Sequence, residues 1–251
     1  MVYPVQRGHS YHKRTKKKKR SKLPFIITII VIIIIASCGF VFFLHNSLLN
    51  SKEMTDDRVD YVFYMRGLEK IFFIRTDRKQ KINYLIDIPK ISYEPIMAIS
   101  MDQPSPREIS RSVEKLFGAP NSTYYSSIDE NSYQTIKDLS VKENEPEYTQ
   151  LTISQFVEMV ESIHLDWYEF LLFNKTKKWI NAQNEHNYTK NSAYRLINNI
   201  SKYANKAVPM TFMTKAPVEI TVKDNQGNQK KYQRLYIDDK SLDTIMEFMK
   251  K

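Results

Sequence analysis

KIFFIRTDRKQKINYLIDIPK, residues 70–90, is the stretch on which the fold class turns. Two runs rich in Ile, Phe, Tyr and Leu, at 70–75 and 81–88, flank Thr76-Asp77-Arg78-Lys79-Gln80. Branched and aromatic side chains suit a pleated, half-buried surface, and a short polar break between two such runs predicts a hairpin. Just upstream, residues 59–66 (VDYVFYMR) read as a third strand of the same kind.

Toward the C-terminus the pattern changes period. Ser105 is placed to cap a helix, Pro106 suits its first turn, and Glu108 completes a capping box. Ile109, Val113, Leu116 and Phe117 then share one face, and Gly118 marks the stop. A strand is predicted at 122–128 and a helix at 129–139, followed by a charged loop at 141–147. Thr152 and Gln155 repeat the capping-box spacing ahead of Phe156, Val157, Met159, Val160 and Ile163. A helix at 191–204, a strand at 218–223, a turn at 224–228, a strand at 229–237 and a closing helix from Ser241 complete the reading. Strands and helices alternate without a second break in composition. The expectation is therefore a single α/β domain at 57–251, a mixed sheet with flanking helices.

Toward the N-terminus the chain turns apolar. Residues 23–45 carry no charge, and the 20 residues from Phe25 to Leu44 span about 30 Å as a helix, the thickness of a bilayer core. Residues 1–22 hold nine basic residues and no acid, which by the positive-inside rule keeps that tail in the cytoplasm and the domain outside it. Residues 46–56 read as a polar linker. The sequence pI of 9.4 misleads, because removing those nine residues from 38 leaves 29 basic against 28 acidic residues. Such a balance excludes a charge-based argument for nucleic-acid binding; the partner expected from the span itself is the lipid bilayer.

Cys38 is the one cysteine, in Ile35-Ala36-Ser37-Cys38, which resembles a lipobox. The apolar run continues through Leu44, where a lipidated chain would turn polar, so an uncleaved anchor is expected and lipidation at Cys38 is the alternative. A domain without cysteine suits a bacterial envelope better than a eukaryotic secretory route. The four Asn-x-Ser/Thr matches, at Asn121, Asn174, Asn187 and Asn199, are read as chance in an Asn-rich chain.

Chemistry-bearing motifs are scarce. His164 and His186 lie apart, and no His-x-x-x-His or cysteine cluster suggests zinc. Beyond the span the glycines are Gly67, Gly118 and Gly227, too scattered for a phosphate-cradling loop. There is no Gly-x-Ser-x-Gly elbow.

Residues 61–139 resemble the LytR–CpsA–Psr family of membrane-anchored envelope proteins. Residues 70–90 are similar to its hairpin, whose return strand runs into a Ser-Ile-Pro-Arg-Asp motif. Residues 109–120, ending Phe117-Gly118-Ala119-Pro120, resemble the helix and Leu-Leu-Gly-Ile-Pro exit that follow. Residues 124–139 resemble the next strand and helix, with 148–163 a second match to that piece. The resemblance implies transfer of a glycopolymer from a polyprenyl-pyrophosphate carrier to the cell wall, with arginines on the pyrophosphate and acids on Mg²⁺ or the acceptor.

This chain departs from that pattern at the motifs. The Ser-Ile-Pro-Arg-Asp motif stands as Asp87-Ile88-Pro89-Lys90-Ile91, so a lysine loses the arginine fork and Ile91 removes an acid. The early Asp-Ser-Arg site falls on Met65-Arg66-Gly67-Leu68-Glu69, leaving one cation and one acid. Arg66, Lys90, Arg107 and Arg111 are the candidate anion-binding residues, and Glu69 is the one candidate ligand for Mg²⁺. The expectation is a catalytically degenerate relative that binds a polyprenyl-linked or wall glycan or a partner protein. The alternatives are an active transferase and a bitopic scaffold that recruits envelope or division proteins.

Overall fold

The computed structural model describes residues 23–141, 146–223 and 229–250. The basic tail, the middle of the loop expected at 141–147 and the turn expected at 224–228 lie outside them. The chain divides into two units, Met1–Phe43 and Leu44–Lys251.

Helix α1 (Leu23–Leu49) has an apolar stretch, Phe25–Leu49, long enough to cross a membrane, with mean hydropathy 3.1. It runs on past the end expected at 44–45. Cys38 is a free thiol in mid-helix, and the helix continues through it.

In the second unit, α2 (Lys52–Thr55) falls in the stretch read as a linker. It is held to the domain: Arg195 donates to the carbonyls of Glu53 and Asp56, and the Thr189 hydroxyl donates to the Glu53 carboxylate at 3.1 Å. Strands β1 (Arg58–Met65), β2 (Lys70–Asp77) and β3 (Ile82–Pro89) form an antiparallel meander. β2 runs through Asp77, so its turn is tighter and begins later than the polar stretch suggested, with Lys81 at φ 56°. Two short strands, β4 (Ser92–Glu94) and β5 (Ile99–Ser100), follow.

Helix α3 (Pro106–Phe117) starts at Ser105 and ends at Gly118, as expected, although Glu108 returns its carboxylate to the Ser105 hydroxyl at 3.0 Å rather than to the Ser105 amide. β6 (Ser122–Ile128) returns parallel to β1, and Asp129 caps α4 (Glu130–Lys137). Then come α5 (Ile153–Glu161), capped by a full Thr152–Gln155 box, α6 (Glu169–Leu172), α7 (Asn174–Asn181) and α8 (Lys190–Lys202). The helix expected at 191–204 stops at Lys202, because Ala204 opens β7 (Ala204–Ala207), which pairs parallel with β3. β8 (Val218–Lys223), β9 (Gln229–Tyr236) and α9 (Asp239–Lys250) finish the chain.

The main sheet has the order β6-β1-β2-β3-β7, and β5-β4-β9-β8 form a second sheet. Successive residues of β1 face opposite ways. Tyr61, Phe63 and Met65 meet α5, α7 and α8 in one core, while Val62 and Tyr64 meet α3 and α9 in the other. Both faces are covered, which is why the central strands read as unbroken apolar runs. The first core is filled by rings: Phe63, Phe156 and Trp179 contact one another, and Tyr61, Tyr124 and Tyr188 stack. On the outer edge of β6, Asn187 accepts from the Tyr125 amide at 2.7 Å and donates to the Thr123 carbonyl at 3.0 Å, and Asn184 bridges Ser127.

Candidate functional site

The antiparallel registers bring the two degenerate motifs to one end of the meander. Met65 faces Lys70 and Lys70 faces Pro89, so the β1–β2 turn and the residues after β3 are neighbours. The turn needs two left-handed residues, Gly67 at φ 84° and Glu69 at φ 51°. It is pinned from beneath: the Arg66 amide donates to the Ile128 carbonyl at 2.8 Å, and the Lys90 amide to the Glu69 carbonyl at 2.8 Å. The Tyr148 hydroxyl is shared between the carbonyls of Arg66 and Ile128, at 2.5 and 2.7 Å. Burial pushes that phenol above its ordinary range, so it stays a donor. Tyr148 is a positioning residue that the sequence did not single out.

Lys90 is the centre of the site. Its ammonium lies 3.2 Å from Glu69, 3.6 Å from Asp102 and 3.2 Å from the Tyr64 hydroxyl, above whose ring it also sits. The Tyr64 hydroxyl in turn donates to Glu69 at 3.0 Å. Burial pulls the Lys90 value down, but the hydrogen bonds it donates to Tyr64 and Glu69 outweigh it and leave it above the ordinary lysine value. Lys90 is therefore charged, and its charge is already answered.

Arg66 pairs with Glu185 on the segment after α7. Two cations thus meet three carboxylates, Glu69, Asp102 and Glu185. An incoming pyrophosphate would meet a carboxylate beside each of these cations. Arg107 and Arg111 lie on the exposed side of α3 and, among the described residues, share no hydrogen bond or ion pair with this cluster. The structure brings Arg66, Glu69 and Lys90 together and leaves Arg107 and Arg111 apart.

The residues present do not fit Mg²⁺. Hard divalent cations need several oxygen ligands, and Mg²⁺ demands near-octahedral order. Here the Glu69 and Asp102 oxygens converge on the Lys90 ammonium, Ile91 supplies no oxygen, and no group of three acidic, His or Cys side chains among the described residues is placed to hold a metal.

Beside Arg66, where β6 ends, lies a polar groove of about 650 Å³ between α4 and α7. Asp129, Asn131, Ser132, Thr135, Asn181 and Asn184 are among the residues that line it. Its floor is fixed by Asn184, which donates to Asp129 at 2.9 Å and Ser132 at 3.0 Å. The Ser132 amide, and then Asn184 and the Arg66 charge, hold the Asp129 carboxyl below its usual range against the effect of burial. Asn131 and Asn181 make no side-chain hydrogen bond to another described residue, so their amides face the groove free to donate and accept. This groove was not legible beforehand, because it joins residues some fifty positions apart. The other clefts described are smaller, at 290 to 370 Å³, and neither Arg66 nor Lys90 lines any of the four.

No family model and no curated protein matches the sequence. Solved structures do. TagV of B. subtilis is 9% identical over 78% of this chain and 97% of its own, with a TM-score of 0.53. TagT bound to LIIa-WTA is 11% identical over 80% and 92%, with a TM-score of 0.51. The Lin1025 protein from Listeria innocua is 11% identical over 77% and 97%, with a TM-score of 0.50. TagT is itself described as a LytR-CPS2A-psr family protein. The fold that residues 61–139 resemble is thus the fold the chain has: the mixed α/β fold of LytR–CpsA–Psr proteins.

Proposed function

We propose that this chain is a membrane-anchored cell-envelope protein of LytR–CpsA–Psr fold that binds wall glycan without transferring it. The observation that carries the reading is Lys90, whose ammonium lies between Glu69 and Asp102 where a transferase needs free cations for the leaving group and free oxygens for a metal. The basic tail and apolar α1 support an anchor with the domain outside the cytoplasm. TagT, which shares the fold, was solved with LIIa-WTA and with octaprenyl pyrophosphate lipid. In this chain the apolar space between sheet and helices is filled by Phe63, Phe156, Trp179 and Tyr188, which favours the glycan over the polyprenyl tail as the part that is held. The groove beside Asp129 offers amides, hydroxyls and a carboxylate, the groups that pair with sugar hydroxyls.

The test uses the full chain in detergent or lipid nanodiscs. A polyprenyl-pyrophosphate analogue with Mg²⁺ should show no turnover above a protein-free control, and purified wall glycan should bind. Replacing Asn181 with Leu should weaken that binding by about tenfold, the loss of one well-made hydrogen bond to a sugar. Magnesium-dependent turnover abolished by Lys90→Ala or Glu69→Ala would instead establish an active transferase. Binding of neither glycan nor lipid would leave a scaffold that recruits envelope proteins.

A further inference from the structure

Among the described residues beyond the span, the most exposed large hydrophobic side chain is Trp167, at 78%, and unlike Ile96 and Val141 at 77% it has two large apolar neighbours close by in the chain that are also exposed. Tyr168 and Leu172 beside it are 40% and 51% exposed. Burying Trp is the rule, and a cluster of three apolar residues in solvent is a costly arrangement unless something covers it. The segment that carries the cluster is tied to its neighbours. The Trp167 and Tyr168 rings meet edge to face at 5.6 Å. Glu169, itself buried, accepts from the Thr176 amide at 2.8 Å and the Thr176 hydroxyl at 3.0 Å, so it caps α7 in place of Phe173, which has no capping side chain. Phe170 turns inward while Trp167 and Leu172 stay out.

The chain itself says what lies nearby. Phe170 packs against the ring of His45 at 4.8 Å, within the second unit. His45 opens the polar step His45-Asn46-Ser47 that follows the apolar run 25–44, so it sits near the depth at which a membrane-spanning chain leaves the hydrocarbon. Trp and Tyr favour that interfacial depth, where the ring is apolar and its edge is wet.

We propose that Trp167, Tyr168 and Leu172 form a second membrane contact, seated in the headgroup region of the bilayer that α1 enters. The occupant of the patch is lipid, not protein. This rests on the anchor reading above, and the experiment separates the two.

The chain has two tryptophans, and Trp179 is fully buried, so exposed-Trp signals report Trp167. The full chain is reconstituted in phosphatidylglycerol–phosphatidylcholine nanodiscs, with and without acyl-chain bromination. Brominated lipid should lower emission in the wild type and have at most half that effect in Trp167→Phe, where Trp179 alone remains. Iodide should quench the wild type about threefold less than it quenches free N-acetyltryptophanamide, as expected for an interfacial ring. Leu172→Ser with Tyr168→Ser, on the exposed side, should raise iodide access without changing the α-helical circular dichroism. Free quenching by iodide with no effect of brominated lipid overturns the proposal and turns the patch over to a protein partner. Release of the chain from vesicles by alkaline carbonate would overturn the anchor reading, and this proposal with it; retention combined with a lipid-blind Trp167 overturns the second contact alone.

Discussion

The β1–β2–β3 meander carries an ion-pair cluster at each end, and the two are built on opposite plans. At one end Asp60 and Arg75, direct cross-strand partners, are sealed in a two-point bond at 2.7 Å, and Arg75 also reaches the carbonyls of Phe117 and Gly118 at 2.9 and 2.7 Å. At the other end Lys90 meets Glu69 and Asp102, whose side chains stay about half exposed. The sealed cluster locks the exit of α3 to the sheet. The open cluster sits at the motif positions and is held loosely enough to be rearranged. Burial, rather than charge count, decides which cluster serves stability.

The comparison breaks most readily at the sealed end. Arg75→Ala leaves Asp60 buried and unpaired and should cost about 3–5 kcal/mol in urea unfolding. Replacing both, as Arg75→Met with Asp60→Leu, should recover more than half of that. A cost below 1 kcal/mol for the single change would end the distinction between the two clusters.

Acid titration is the next probe. Burial raises the Asp60 carboxyl to about 6 against the pull of Arg75. In the unfolded chain that carboxyl ionises near 3.9, so between those values the folded state holds the extra proton. This group therefore makes the fold less stable as pH rises from about 4 to 6, and Asp60→Asn should flatten that limb. A wild-type limb unchanged by Asp60→Asn would place the proton elsewhere.

Gly118 sharpens the same end. It sits at φ 78°, ψ 142°, a region nearly reserved for glycine, with nothing within 4 Å of an added methyl group. Gly118→Ala should cost about 1–3 kcal/mol through backbone strain alone, and a neutral result would show that the α3 exit can relax without loosening Arg75.

The open end should respond least. Lys90→Met should change stability by less than about 1 kcal/mol, since two of its partners are half exposed. Its folded value lies above the unfolded one, so its contribution is complete below about pH 10 and fades as pH climbs through the raised value. The wild-type and Lys90→Met curves should therefore converge only in strong alkali. Convergence nearer neutrality would mean that Lys90 is not held as charged as the geometry implies.

The sequence made some of this readable. The hairpin, α3 and β6 were legible because each is fixed by neighbours in the chain: a polar break, Ser105 with Gly118, a run of β-formers. β4, β5 and β7 were not, since strands of two to four residues carry no period of their own and exist only by pairing. Helices α6 and α7 went unread for a related reason: α6 is four residues long with no capping side chain, and the cap of α7 comes from Glu169 and not from the residue before it. In the candidate site, Arg66, Glu69 and Lys90 were named from the motif resemblance and the strand register brings them together, whereas Asp102 and Glu185 arrive from distant segments. The Asp60–Arg75 pair had a signal: each is a charge set among apolar and aromatic residues of its strand, and the register brings the two face to face.

The Asn187 amide against β6 has a consequence for assembly. A sheet edge grows by lending its free amides and carbonyls to another chain. On the β6 side those groups at Thr123 and Tyr125 are already engaged by a segment that is not itself a strand, so it passes on no new edge. The opposite border is β7, four residues long and exposed throughout. Polymerisation through the main sheet can therefore start from one short side only, and two such chains could at most close into a pair, never a fibre.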